Sequence, residues 1–324
     1  MNLYMRAVRM RPDWDEGWWA LGTIAYDLDK YPDCLQAFQR LLVMKPKFAP
    51  AYILSGLCQF SLHEYEPSYQ SLIRAERLGF EGSPELARVG RYHFALLLTK
   101  FGSFEKAISM YNFLTRTGGG SPEINAAAGI AGMRKQYLPS EVPASERALI
   151  STFGEALGAA FAQDPKVAVE RFEAAIAAYP EVADLHYRFG AYLLNNDAER
   201  GMKEILKTLE LDPNHVPALV TATLQSITFG DFNQARQYGE RAVRAAPSGF
   251  ASHLALGRAL IGAKDLPGAT KELERAVALA PESPESRFAL ANAYARAGRK
   301  ADADRERAEF ERLRKLIDST VNDR

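Results

Sequence analysis

Asp231-Phe-Asn-Gln-Ala235 and Asp265-Leu-Pro-Gly-Ala269 are two versions of one phrase, set 34 residues apart. Pro213, Pro247 and Pro281 keep the same interval around them, and Ala242 and Ala276 repeat it once more. A fixed period in this range marks stacked supersecondary units, each too small to bury its apolar face alone. Small residues at set phases describe a helix–turn–helix unit whose two helices pack closely.

Outward from this stretch, the pattern Trp-x2-Leu-Gly-x2-Tyr, Ala-x3-Phe, Pro can be followed along most of the chain. Trp18, Leu21, Gly22, Phe38 and Pro46 match it directly; Ala25 and Cys34 depart from it. Tyr52, Gly56, Leu72 and Ala75 fall in phase in the next unit, and Phe94, Ala95, Ala107 and Tyr111 in a third. Ala168, Phe172, Ala175 and Pro180 resume it, and Leu290, Ala291, Tyr294, Ala303 and Phe310 close it. With period and phases together, the chain resembles the tetratricopeptide-repeat family. The stretch Leu138-Pro-Ser-Glu-Val-Pro143 is similar to segments of multi-repeat bacterial members. The resemblance implies an all-α fold, a right-handed superhelical solenoid of helix–turn–helix repeats.

Three segments are expected. Residues 1–120 form an N-terminal array of a half repeat and three repeats, ending in the helix stop Gly118-Gly-Gly120. Residues 121–147 hold an unpaired helix, rich in small residues, and a joint where Pro139 and Pro143 forbid regular helix and invite proteolysis. Residues 148–324 form a second array closed by a charged capping helix, with Ala303, Phe310, Leu313 and Ile317 as its apolar stripe. Residues 1–12 read as the second half of a unit: either sequence is missing upstream or this helix is a cap. Asp13 and Asp15 supply N-capping chemistry for the helix that follows.

Forty basic and forty acidic residues cancel. That balance argues against a surface built for nucleic acid or anionic membrane. The start lacks the apolar core of a signal peptide, and no apolar run spans a bilayer, so a complete chain would be cytoplasmic. Cys34 and Cys58 are too few for a disulfide framework and are expected as small buried thiols, although a bridge between them stays open. His63, His93, His186, His215 and His253 show no metal-ligand spacing. No phosphate-binding loop or nucleophile motif occurs, so no cofactor and no catalytic residue is expected.

In the family, certain first-helix phases line a concave groove. Carried onto this chain, they give Trp19, Thr23, Tyr26, Ile53, Leu57, Phe60, Tyr92, Leu96, Phe153 and Tyr187. These are apolar and partly aromatic, so the resemblance implies a non-enzymatic scaffold for an apolar or helical protein segment. The groups that some members use to clamp a peptide carboxylate are reduced here to Lys100, Asn195, Arg258 and Asn292, scattered along the sequence. Two other readings remain: a non-catalytic arm of a larger enzyme such as a glycosyltransferase, and a bacterial envelope or secretion assembly factor.

Overall fold

Within each repeat, an apolar first helix and an amphipathic second helix turn back on each other around one small residue. In this computed structural model, which describes residues 1–322 and side chains as far as residue 316, that hairpin recurs along the chain. The helices are α1 (Asn2–Met10), α2 (Asp15–Asp27), α3 (Tyr31–Met44), α4 (Ala49–Ser61), α5 (Tyr65–Arg77), α6 (Pro84–Lys100) and α7 (Phe104–Gly118). Then come α8 (Pro122–Gly132), α9 (Arg147–Phe161), α10 (Pro165–Ala178), α11 (Ala183–Leu193) and α12 (Ala198–Leu211). The chain continues as α13 (Val216–Thr228), α14 (Phe232–Ala245), α15 (Phe250–Gly262), α16 (Leu266–Leu279), α17 (Pro284–Arg296) and α18 (Lys300–Asn322). The fold is an all-α repeat solenoid, in which α2 pairs with α3, α4 with α5 and α6 with α7. Later, α11 pairs with α12, α13 with α14, α15 with α16 and α17 with α18.

The repeated glycine sets the helix spacing. A Cβ on Gly22 would stand 2.5 Å from the Phe38 ring, and one on Gly257 would stand 2.5 Å from Leu273 Cγ. Facing alanines such as Ala235, Ala269 and Ala276 are fully buried. The repeated aspartate starts the second helix: Asp197, Asp231 and Asp265 accept from the amides of Arg200, Gln234 and Gly268, each at 3.0 Å. Such caps satisfy amides that the helix itself leaves unpaired. The stop at Gly118-Gly-Gly120 is also reinforced, because Arg88 of α6 donates to the carbonyls of Leu114 and Gly119, each at 2.8 Å.

Four expectations are corrected. Asp13 and Asp15 do not cap α2: Trp14 holds the N-cap position without a side-chain bond, and Asp15 lies in the first turn. There Asp15 pairs with Lys45, whose hydrogen bond holds the carboxyl down to about 2. Second, α8 is not unpaired. It packs on α9, with backbone against backbone: a Cβ on Gly154 would stand 2.2 Å from the Asn125 carbonyl, and one on Gly129 equally close to that of Ile150. The close neighbour demanded by the small residues of α8 is therefore α9, and its own signal is Gly154 and Gly158, one helical turn apart.

Third, the proline segment is not a loose joint. Leu138 and Val142 are buried, the Leu138 amide donates to Glu141 at 2.7 Å, and Glu141 pairs with Lys100 at 2.8 Å. By compactness the chain falls into two units, Met1–Ala175 and Ile176–Arg324. Fourth, Cys34 and Cys58 are not thiols. They form a disulfide from α3 to α4, with both residues fully buried. A helix pair that juxtaposes two cysteine side chains is something a spacing of 24 residues does not reveal.

Of the capping stripe, Ala303 and Leu313 are buried and Phe310 is half-buried, while the side chain of Ile317 lies outside the described residues. Among the described residues no helix is long and apolar enough to cross a membrane.

Candidate functional site

The expected groove residues fall into two groups. Ile53, Leu57, Leu96, Phe153 and Tyr187 are buried. The cause is packing between neighbouring helices, which closes over these phases. Ile53 lies under Gly90 of α6, Phe153 meets Phe172 at 6.4 Å, and Tyr187 joins Ile205, Leu209 and Leu219 in a core cluster. Half of the expected groove residues are thus closed off by helix packing. Trp19, Thr23, Tyr26, Phe60 and Tyr92 remain half-buried, all in the N-terminal unit.

Each of these rings is held by a neighbour. Trp19 packs between Phe38 and Phe48, with centroids at 5.6 and 5.2 Å. Tyr26 on α2 meets Tyr31 at 6.3 Å, and Phe60 on α4 meets Tyr65 at 5.4 Å. These two pairs are one device repeated at the 34-residue period. The turn beneath each holds a positive-φ residue, Asp29 or His63, that ends the first helix. Asp29 accepts from the Tyr31 hydroxyl at 2.7 Å, and the His63 ring bonds the Tyr65 hydroxyl at 2.8 Å. His93 of α6 sets its ring edge-on to Phe60 at 4.8 Å and bonds the Val89 carbonyl at 2.9 Å. Tyr92 lies 6.5 Å from the buried Tyr111.

The electrostatics of this face are those of desolvation. Burial pushes the Tyr26, Tyr92 and Tyr111 hydroxyls up and the His93 ring down, so each favours its neutral form. These rings are neutral, and each is held in place by the neighbours named above. Thr23 adds no outward hydrogen bond, since its hydroxyl is 3.1 Å from the carbonyls of Trp19 and Ala20 on its own helix.

The four clamp candidates are not equally scattered. Lys100 is tied to Glu141 in the N-terminal unit, and Asn195 is exposed just beyond α11. Arg258 and Asn292, however, occupy one phase of successive repeats and line a single cleft in the C-terminal unit. Phe310 and Arg314 of α18 complete its lining. The sequence signal was the interval of 34 between Arg258 and Asn292; nothing in the period pointed to α18. Among the described residues, no group of three or more His, Cys, Asp or Glu side chains could hold a metal ion.

The geometry is that of stacked helix hairpins. No curated protein matches the chain. Similar solved structures include "MamA RS-1 ArsTM double mutant", 22% identical, covering 53% of this chain and 97% of that one with a TM-score of 0.48. Another is "MamA 41-end from Desulfovibrio magneticus RS-1", 22% identical, covering 53% and 96% with a TM-score of 0.45. Likeness at this level carries no argument about function. The model of the tetratricopeptide repeat matches residues 153–215, 227–284 and 254–304. Over these residues the chain carries tetratricopeptide repeats, and the hairpins and glycines described above continue the same helix-pair unit on either side.

Proposed function

We propose that this protein is a non-enzymatic interaction scaffold that seats an apolar segment of a protein partner on the first-helix face of its N-terminal unit. The observation that carries this reading is the set of aromatic rings Trp19, Tyr26, Phe60 and Tyr92, left half-buried on three successive first helices after helix packing is complete. Large aromatic anchors dominate interface energetics, and rings already fixed by neighbours lose little entropy on binding. A helical segment offers apolar side chains at a spacing that such a row of rings accepts.

The double substitution Tyr26→Ala, Phe60→Ala tests the reading. Cross-linking mass spectrometry on the full-length chain in its native extract identifies a partner segment, whose affinity is then measured with purified components. The expected result is a loss of about a hundredfold or more, because each of the two central aromatic anchors contributes about 2 kcal/mol, with a small shift in melting temperature. A variant that melts much earlier yet binds its partner unchanged would assign these rings to packing and end the proposal.

A further inference from the structure

A cleft of about 590 Å³ lies wholly within the C-terminal unit. That volume is within the range of built ligand pockets. Its floor is apolar: Ile227 reaches it from α13 and Ile261 from α15, and the rings of Phe288 and Phe310 meet there at 5.3 Å. Phe288 is 57% exposed, beside a space that a side chain could fill.

The two cations in the lining are exposed and carry no ion pair among the described residues. Arg258 comes from α15 and Arg314 from α18, two helices that both pack on α17. Neither guanidinium has a carboxylate partner among the described residues; Arg314 lies over the Phe310 ring at 5.9 Å. Elsewhere on or beside α18 the pattern differs, with Arg299 and Arg305 on Asp302, Arg307 on Asp304 and Arg312 on Glu309. Asn292 of α17 is half-buried, and its side chain makes no hydrogen bond among the described residues. Glu285 is the one acid in the lining, and it accepts from Ser283 Oγ at 3.0 Å.

We propose that this cleft docks an acidic protein segment in which a bulky apolar side chain stands between carboxylates. The apolar side chain covers Phe288 and Phe310, and Arg258 and Arg314 each receive a carboxylate. Asn292 offers its amide to the segment's backbone. Charge complementarity selects this occupant, since planar guanidinium groups fit carboxylates and stay charged at any working pH. Two cations from two different helices match carboxylates on both sides of the apolar residue rather than the single one at a chain end. This site is separate from the N-terminal aromatic face in both unit and partner chemistry, so either can fail alone.

The probe is a fluorescent peptide, acetylated and amidated at its ends, with one phenylalanine between pairs of glutamates, titrated with the full-length chain by anisotropy. Saturable binding that weakens with added salt is expected. Arg258→Gln with Arg314→Gln weakens it about tenfold or more, as loss of charge-assisted hydrogen bonds does. Phe288→Ala weakens it comparably, and Tyr26→Ala with Phe60→Ala leaves it unchanged. All three cleft residues are exposed, so the melting temperature should hold. The proposal is overturned by the absence of saturable binding, by equal binding of a peptide with lysines for glutamates, or by binding that requires a free C-terminal carboxylate. It is also overturned if the arginine variants lose binding only together with a fall in melting temperature.

Discussion

His253 and Arg287 perform the same task in successive repeats. His253 places Nε2 at 3.0 Å from the Pro247 carbonyl and Nδ1 at 2.7 Å from Glu272 of α16. Arg287 donates through Nε and Nη2 to the Pro281 carbonyl, each at 3.3 Å, and through Nη1 to Glu306 of α18 at 2.7 Å. His186 repeats the arrangement with Pro180 and Glu204. In the N-terminal unit the same place holds Trp18, donating to the Pro12 carbonyl at 2.9 Å, and Tyr52, donating to that of Pro46 at 3.2 Å. In these five repeats the side chain six residues after the proline therefore ties the turn between repeats to the first helix, whereas after Pro213 the place is held by the buried Leu219. His186, His253 and Arg287 also bridge to the second helix.

His253→Ala should lower the stability of the C-terminal unit by about 1–3 kcal/mol, because Glu272 and the Pro247 carbonyl lose the ring that lies between them in a largely buried place. His253→Arg should recover most of that loss, since Arg287 shows that a guanidinium fits this position in the next repeat. Urea unfolding followed by circular dichroism checks both. Equal loss in the two variants would show that the ring packs rather than bridges.

The Cys34–Cys58 disulfide closes a separation of 24 residues. Chain-entropy arguments give such a crosslink a contribution of about 3 kcal/mol through the unfolded state. Non-reducing peptide mapping should recover the joined peptides. Reductant should lower the melting temperature of the native chain and leave Cys34→Ala, Cys58→Ala unmoved. A native chain indifferent to reductant, with both thiols open to alkylation after denaturation, would contradict the link.

His93 carries a pH dependence of definite sign. Burial holds its folded-state pKa below that of the unfolded chain, about 6.5. As pH falls through that unfolded value, the unfolded state takes up the proton first, and stability is lost until the folded ring also protonates. The ring faces Phe60, Tyr92 and the Val89 carbonyl, none of which gains charge in this range. Stability at pH 5 should therefore fall further below that at pH 7.5 in the native chain than in His93→Gln. Identical pH profiles for the two would remove His93 from the account.

Gly154→Val tests the pairing of α8 with α9. The added atoms would enter the space of the Asn125 carbonyl, and a backbone wall cannot rotate away as a side chain can. Overpacking of this kind costs about 1–3 kcal/mol or more, visible as a lower denaturation midpoint. A change at the exposed Ser151 to Ala, on the same helix, should be silent. A Gly154→Val chain of undiminished stability would mean that the two helices do not lie backbone to backbone.

Much of the fold was legible in the residues alone. The interval of 34, the Gly22 and Gly257 phase and the repeated phrases that open at Asp231 and Asp265 act within one hairpin, where backbone geometry fixes which side chains meet. For that reason the sequence by itself determined that the chain is a stack of helix hairpins and where most of them begin and end. Only the tertiary structure decided the choice of neighbours. It brought α8 onto α9, joined Cys34 to Cys58 and gave His186 and His253 their carboxylates. It buried Ile53 and Phe153 while leaving Tyr26 and Phe60 half-open, and it set Phe310 and Arg314 beside Arg258. These outcomes depend on how one hairpin rotates and crosses against the next, and a period along the chain carries no record of that angle.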